Sequence, residues 1–132
     1  MVMGDAITVA GFGFRRGVRL ASLIDALDRL HEHHGAIDRL AATRTMWPLV
    51  QELGRARGLA VIAVADAELP MAATLTRSRH SLRARGTGSV AEAVALLAAG
   101  PGAALLGPRL ISADRSATAA VARAPLKKGE RA

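Results

Sequence analysis

A change of apolar rhythm that occurs twice in the first half of the chain restricts its fold more than any other feature. Residues 6 to 12, AITVAGF, form a continuous apolar run rich in branched side chains and closed by glycine, the pattern of a strand buried on both faces. From Val18 the spacing becomes three and four. Leu20, Leu23, Ile24, Leu27 and Leu30 make one stripe, Asp25, Asp28, Arg29 and Glu32 fall off it, and Gly35 stops it. The alternation then recurs with different residues. IDRLAAT (37 to 43) reads as a strand, WPLVQELGRARG (47 to 58) as a helix with Pro48 in its first turn, and LAVIAVA (59 to 65) as a third strand. Strands separated by single amphipathic helices favour a parallel sheet with crossover connections, because each helix must return across the sheet to bury its stripe.

The second half is less regular. MAATLTRSRHSLRARG (71 to 86) has no clear period and reads as a loop or frayed helix over one end of the sheet. In TGSVAEAVALLAAG (87 to 100), Ser89 and Glu92 have the spacing of a capping box before an Ala- and Leu-rich helix that ends at Gly100. AALLGPRLISADRSATAAVARA (103 to 124) reads as two strands joined by the turn SADRS. The expected architecture is therefore a three-layer α/β/α domain with a mostly parallel mixed sheet and a C-terminal β-hairpin, covering residues 1 to 124. A basic flexible tail is expected at 125 to 132, PLKKGERA.

Composition narrows the function classes. The absence of cysteine excludes disulfides, thiol catalysis and thiolate metal sites. Asp66, Pro70, Glu92 and Pro101 interrupt the richest apolar windows, so no run approaches the ~20 residues of a membrane helix. Asp5 breaks the N-terminal apolar run, which lacks the order of a signal peptide, and a cytoplasmic protein with no membrane partner is expected. The formal net charge of +7 calls for an anionic partner. Nucleic acid is disfavoured, since no Tyr, two Phe and one Trp leave few platforms for stacking bases. The cluster RSRHSLRAR (77 to 85) and the tail are the features that such a partner would use.

The piece GFGFRRG (11 to 17) is the main functional candidate. Gly11, Gly13 and Gly17 give G-x-G-x-x-x-G, one residue longer than a dinucleotide fingerprint, and the second strand ends in Ala42-Thr43-Arg44 without the acid a ribose needs. No nucleotide cofactor, and no other cofactor, is expected. What remains is a tight turn with exposed N–H groups, a following helix with its positive end toward the turn, and the pair Arg15 and Arg16, all suited to a carboxylate. An equal reading on spacing alone is that the glycines permit close strand–helix packing while the arginines are solvated. The rule that ligands collect at the carboxyl ends of parallel strands brings together residues 12–17, 43–46 and 66–68, with Gly86-Thr87-Gly88-Ser89 beside them. Ser89 and Glu92 have a competing role as helix caps.

Other chemistry is sparse. His31, His33 and His34 end a helix, where they complement its dipole, and no metal site is expected. Ser78 with His80 does not make a triad, and no catalytic residue is assigned. Asp66 and Glu68 are the well-placed acids, while Met46 and Trp47 are expected to pack.

VAGFGFRRG (9 to 17), LAAT (40 to 43), TGSVAEAVALLAAG (87 to 100) and Ser112 followed by ATAAVA (117 to 122) occur in an order that resembles the CobE/CbiG carboxyl-terminal domain of cobalamin biosynthesis, over roughly residues 6 to 124. The short length is similar to the stand-alone form of that family. The resemblance implies a role in corrin-ring assembly, on macrocycles carrying acetate and propionate groups. A precorrin-type tetrapyrrole is then the expected partner, bound or processed through Gly11, Gly13, Phe14, Arg15, Arg16, Thr43, Thr87, Gly88 and Ser89, with other cobalamin-pathway enzymes as candidate partners. The longer relatives imply an alternative, hydrolytic opening of a ring lactone with release of a two-carbon fragment, for which Asp66 or Glu68 would serve as base. Two departures from the family pattern stand out. Arg44-Thr45-Met46-Trp47-Pro48 occupies the loop where relatives carry Lys and then Glu, and Phe14 stands where relatives carry Cys.

Overall fold

The first strand, β1 (Ala6–Phe14), is buried along almost its whole length, which is why its sequence is a run and not an alternation. A computed structural model describes residues 6–85 and 87–125, apart from the side chains of His80, Ala84 and Arg85. The elements that follow are α1 (Leu20–His34), β2 (Arg39–Thr43), α2 (Trp47–Arg57), β3 (Val61–Val64) and a 3₁₀ helix (Asp66–Met71). After them come α3 (Arg79–Arg85), α4 (Val90–Ala99), β4 (Ala104–Leu105), β5 (Leu110–Ile111) and β6 (Ala117–Pro125).

The sheet has the order β3-β2-β1-β6-β4, with β5 also paired to β6. β1, β2 and β3 are parallel, in the register Val9↔Arg39 and Leu40↔Val61. β6 runs antiparallel to β1 from Ala6↔Pro125 to Phe14↔Ala117, and β4 and β5 run antiparallel to β6. One strand, β6, therefore runs against the other five, and the mixed sheet has two parallel and three antiparallel pairings. The expected hairpin is β5–β6, closed at Ser112–Ser116 by Ser112 N–H to Ala117 O and Arg115 N–H to Ser112 O, both 2.9 Å. β6 continues to Pro125, and residues 126–132 of the basic tail lie outside the described residues.

Period-two alternation along β1 assigns its residues to two faces. Ala10 and Phe12 join Leu23, Leu27, Leu30, Val50 and Leu53 under α1 and α2. Ile7 and Val9 join Ala41, Leu69, Val94 and Ala124 under α4 and the 3₁₀ helix. Gly11 and Gly13 fall on this second face. A Cβ on Gly11 would meet Ala91 O and Ala95 N of α4 at 2.5 Å, so the alanine-rich helix rests directly on the strand backbone.

Here the structure corrects the sequence reading. β1 does not end at the glycines but runs through them to Phe14, pairing Gly11 with Ala120 and Gly13 with Thr118. Gly11 answers to helix packing, and the turn is made by Gly17, at φ +86. Other boundaries shift by a few residues: α1 starts at Leu20 instead of Val18, β2 at Arg39 instead of Ile37, and β3 is trimmed to Val61–Val64. The segment after Pro70 contains an irregular stretch and then the seven residues, about two turns, of α3.

Candidate functional site

Because β1 and β6 are antiparallel, the end of one lies beside the start of the other, and the turns attached to both meet at one end of the sheet. Arg15 N–H donates to Ser116 O at 3.5 Å, and the chain then turns through Arg16 and Gly17 into α1. Opposite, the hairpin turns through Arg115, the one non-glycine residue with positive φ (+63) among the described residues. Left-handed backbone costs a side-chain-bearing residue roughly 1 kcal/mol, so something must hold it.

Asp114 does so. Its carboxylate accepts from Ser112 Oγ at 2.6 Å, Ser116 Oγ at 2.8 Å, Ser116 N–H at 3.1 Å, and from Ser22 Oγ of α1. The Ser112 and Ser22 hydroxyls, then the Ser116 N–H and hydroxyl, hold this carboxyl far below the usual range. Asp25 of α1 adds a second tie, accepting from Ala113 N–H at 2.7 Å.

Between the two turns lies a cavity of about 530 Å³. Gly13, Phe14, Arg15 and Arg16 line it from the end of β1, and Arg115, Ser116 and Thr118 from the hairpin side. Arg109 and Ile111 come from the β5 segment, Met46 from the end of the β2 loop, Val90 from α4, and Ser78 and Ser81 from the start of α3. Four of these residues are arginines and none carries a carboxylate. Phe14, Met46, Val90 and Ile111 supply apolar surface. Such a mixture offers dispersion contact to the body of a ligand and charge-assisted hydrogen bonds to acidic groups on it. Ser81 is 9% exposed, and its Oγ is buried without a hydrogen-bond partner among the described residues.

One wall is organised by Glu92, which is fully buried. Its Oε1 accepts from the N–H groups of Leu75 (2.6 Å) and Thr76 (2.8 Å), and its Oε2 from Thr76 Oγ1 (2.6 Å) and Arg109 N–H (2.8 Å). Burial pushes the carboxyl up. The Thr76 hydroxyl and N–H, with the Arg109 and Leu75 N–H groups, outweigh burial and leave it lowered. The capping box is thus half formed: Ser89 Oγ accepts from Glu92 N–H at 3.3 Å, but the Glu92 side chain leaves the helix start and staples the 75–76 loop to the Arg109 segment. Capping was the wrong role for that carboxylate, because it accepts instead from the backbone N–H groups of Leu75, Thr76 and Arg109.

Of the residues singled out in the sequence, Gly13, Phe14, Arg15 and Arg16 line the cavity. The rest of the expected binding residues do not. Thr43 is fully buried, and its Oγ1 accepts from Met46 N–H at 3.2 Å. Thr87 and Ser89 are buried, and Gly88 packs against the Thr76 carbonyl so closely that a Cβ has no room. Gly86 lies outside the described residues. Asp66 and Glu68 sit on the 3₁₀ helix after β3, away from the cavity lining, with Thr45 Oγ1 donating to Asp66 at 3.3 Å. His31 and His33 set their Nδ1 atoms against the carbonyls of Gly35 and Arg29 in the last turn of α1. Met46 packs in the core under α1 and α2 as expected, while Trp47 is half-buried and its Nε1–H donates to Val61 O at 3.4 Å. Among the described residues no three metal-ligating side chains converge, and no helix is long and apolar enough to cross a membrane.

The sequence reading missed Arg109 and Arg115. Arg115 had a usable signal, its place in the SADRS turn, but the nearness of that turn to Arg15 follows from the β1–β6 pairing. Arg109 had none.

The chain is a three-layer α/β domain with a cavity lined by four arginines at one end of its sheet, and relatives of this architecture are known. The family described as the cobalamin synthesis G C-terminus matches residues 8–122. The crystal structure of CobE, a protein from the cobalamin (vitamin B12) biosynthetic pathway, is 31% identical and superposes with a TM-score of 0.77, covering 93% of this chain and 94% of that one. The cobalamin biosynthesis protein ChiG from Agrobacterium tumefaciens is 32% identical with a TM-score of 0.68, covering 88% and 97%. No curated protein sequence matches significantly. The chain belongs to the cobalamin synthesis G C-terminal family and is a cobalamin-biosynthesis protein of the CobE/CbiG type.

Proposed function

We propose that this protein binds a carboxylate-rich precorrin or corrinoid intermediate at the end of its sheet, and holds it or hands it on. The observation that carries this reading is the cavity of about 530 Å³ in which Arg15, Arg16, Arg109 and Arg115 meet without a lining carboxylate. Its volume falls within the ~300–1,000 Å³ of small-molecule sites. Guanidinium groups suit acetate and propionate arms because the planar fork matches a carboxylate, and the apolar residues suit the ring. Arg15, Arg16 and Arg115 are exposed, so a ligand reaches them without the wall opening.

The test is titration of the full chain with a precorrin-type tetrapyrrole, followed by visible absorption. Saturable spectral change is expected, weakened about 100-fold in the Arg15→Ala, Arg16→Ala double variant, as the loss of two charge-assisted contacts implies. Equal binding by the variant overturns the reading.

A further inference from the structure

We infer that the hollow beside the main cavity is a second anion subsite, so that one ligand is gripped by two of its acidic arms at once. This rests on the reading that the ligand is a polycarboxylate. The hollow is about 330 Å³ and is lined by Arg15, Arg16, Arg19 and Arg115, with Asp114 and Ser116 among its other residues. It shares Arg15, Arg16 and Arg115 with the main cavity, so the same three guanidinium-bearing residues border both spaces at the turn that follows β1.

Among the described residues the ion pairs are Arg29–Asp25 and Arg57–Asp28, and none of the four arginines of the hollow takes part. The carboxylate beside them, Asp114, is engaged by the hydroxyls of Ser112, Ser22 and Ser116. Four cations gathered with one committed anion make a positive potential that the protein does not balance itself. The first turn of α1, which starts after Arg19, has no acidic residue and no side-chain cap, so it adds no negative charge.

Two separate anions would compete for Arg15, Arg16 and Arg115. Two carboxylates tethered to one ring do not have to be captured independently, since binding the first raises the effective concentration of the second. The geometry favours a ligand whose acidic arms are numerous and close together over one with an isolated pair.

Arg19 lines the hollow and not the main cavity, and Arg109 the reverse, so the subsites are separable by substitution. The full chain and its Arg19→Gln and Arg109→Gln variants are titrated with a porphyrin carrying eight carboxylates, one carrying two, and inorganic phosphate as competitor. Arg19→Gln is expected to weaken the octacarboxylate about tenfold and leave the dicarboxylate within about twofold, while Arg109→Gln weakens both. Unchanged octacarboxylate affinity in Arg19→Gln overturns the second subsite while leaving the first intact. Loss of phosphate competition in Arg19→Gln, with porphyrin affinity retained, also overturns it and assigns the hollow to a separate phosphate. Failure of the unaltered chain to bind either porphyrin sinks the underlying reading and this one with it.

Discussion

Thr76 donates its hydroxyl to the Glu92 carboxylate at 2.6 Å, joining the loop before α3 to the buried start of α4. Both oxygens of Glu92 face donors only, so a neutral amide in its place must aim N–H at N–H or at a hydroxyl that has lost its acceptor. Glu92→Gln is expected to destabilise the fold by about 2 kcal/mol or more, read by urea unfolding. Less than about 0.5 kcal/mol would show that the staple contributes little.

The same carboxylate sets a pH dependence. Its folded pKa is lowered from the ordinary 4.5, so below that value the unfolded chain binds the proton more readily. The stability it confers is complete above the unfolded pKa and is lost as pH falls through the folded one. Melting temperature should fall as the pH drops below about 4.5 in the unaltered chain and fall less steeply in Glu92→Gln. Parallel profiles would assign the acid loss to other carboxylates.

Arg115 combines a strained backbone, at φ +63, with a place in both the cavity and the hollow. Glycine separates the two roles. Arg115→Gly should be at least as stable as the unaltered chain, because relief of the left-handed penalty is worth about 1 kcal/mol, yet bind a polycarboxylate porphyrin about tenfold more weakly. A stable variant with full affinity would remove Arg115 from the site.

The Ser81 hydroxyl has no hydrogen-bond partner among the described residues although its Oγ is buried. Ser81→Ala deletes an unsatisfied hydroxyl and should stabilise the protein by up to about 1 kcal/mol. A lowered melting temperature would show that the hydroxyl has a structural partner in solution.

Gly11→Ala is the complementary packing test. Its Cβ would press on backbone atoms Ala91 O and Ala95 N at 2.5 Å, and backbone cannot swing aside as a side chain does. A loss of about 3 kcal/mol is expected, with α4 displaced, measured by thermal and urea unfolding. Near-neutral stability would restore Gly11 as a candidate for ligand contact.

Local chemistry along the chain was enough to specify the succession from β1 to β3, the helix α4, the β5–β6 hairpin and the positive turn at Arg15 and Arg16, but not the 3₁₀ helix or the separate strand β4. Those properties depend on neighbours within a few residues, through helical or strand periodicity, capping and turn chemistry. Tertiary structure alone decided that β6 pairs with β1 and so carries Arg115 to Arg15, that Gly11 lies under α4, and that Glu92 turns from its own helix to Thr76 and Arg109. The physical reason is the same in each case. Strand order, close backbone approach and the satisfaction of buried donors are set by residues distant in sequence, and no local pattern records which distant partner will arrive.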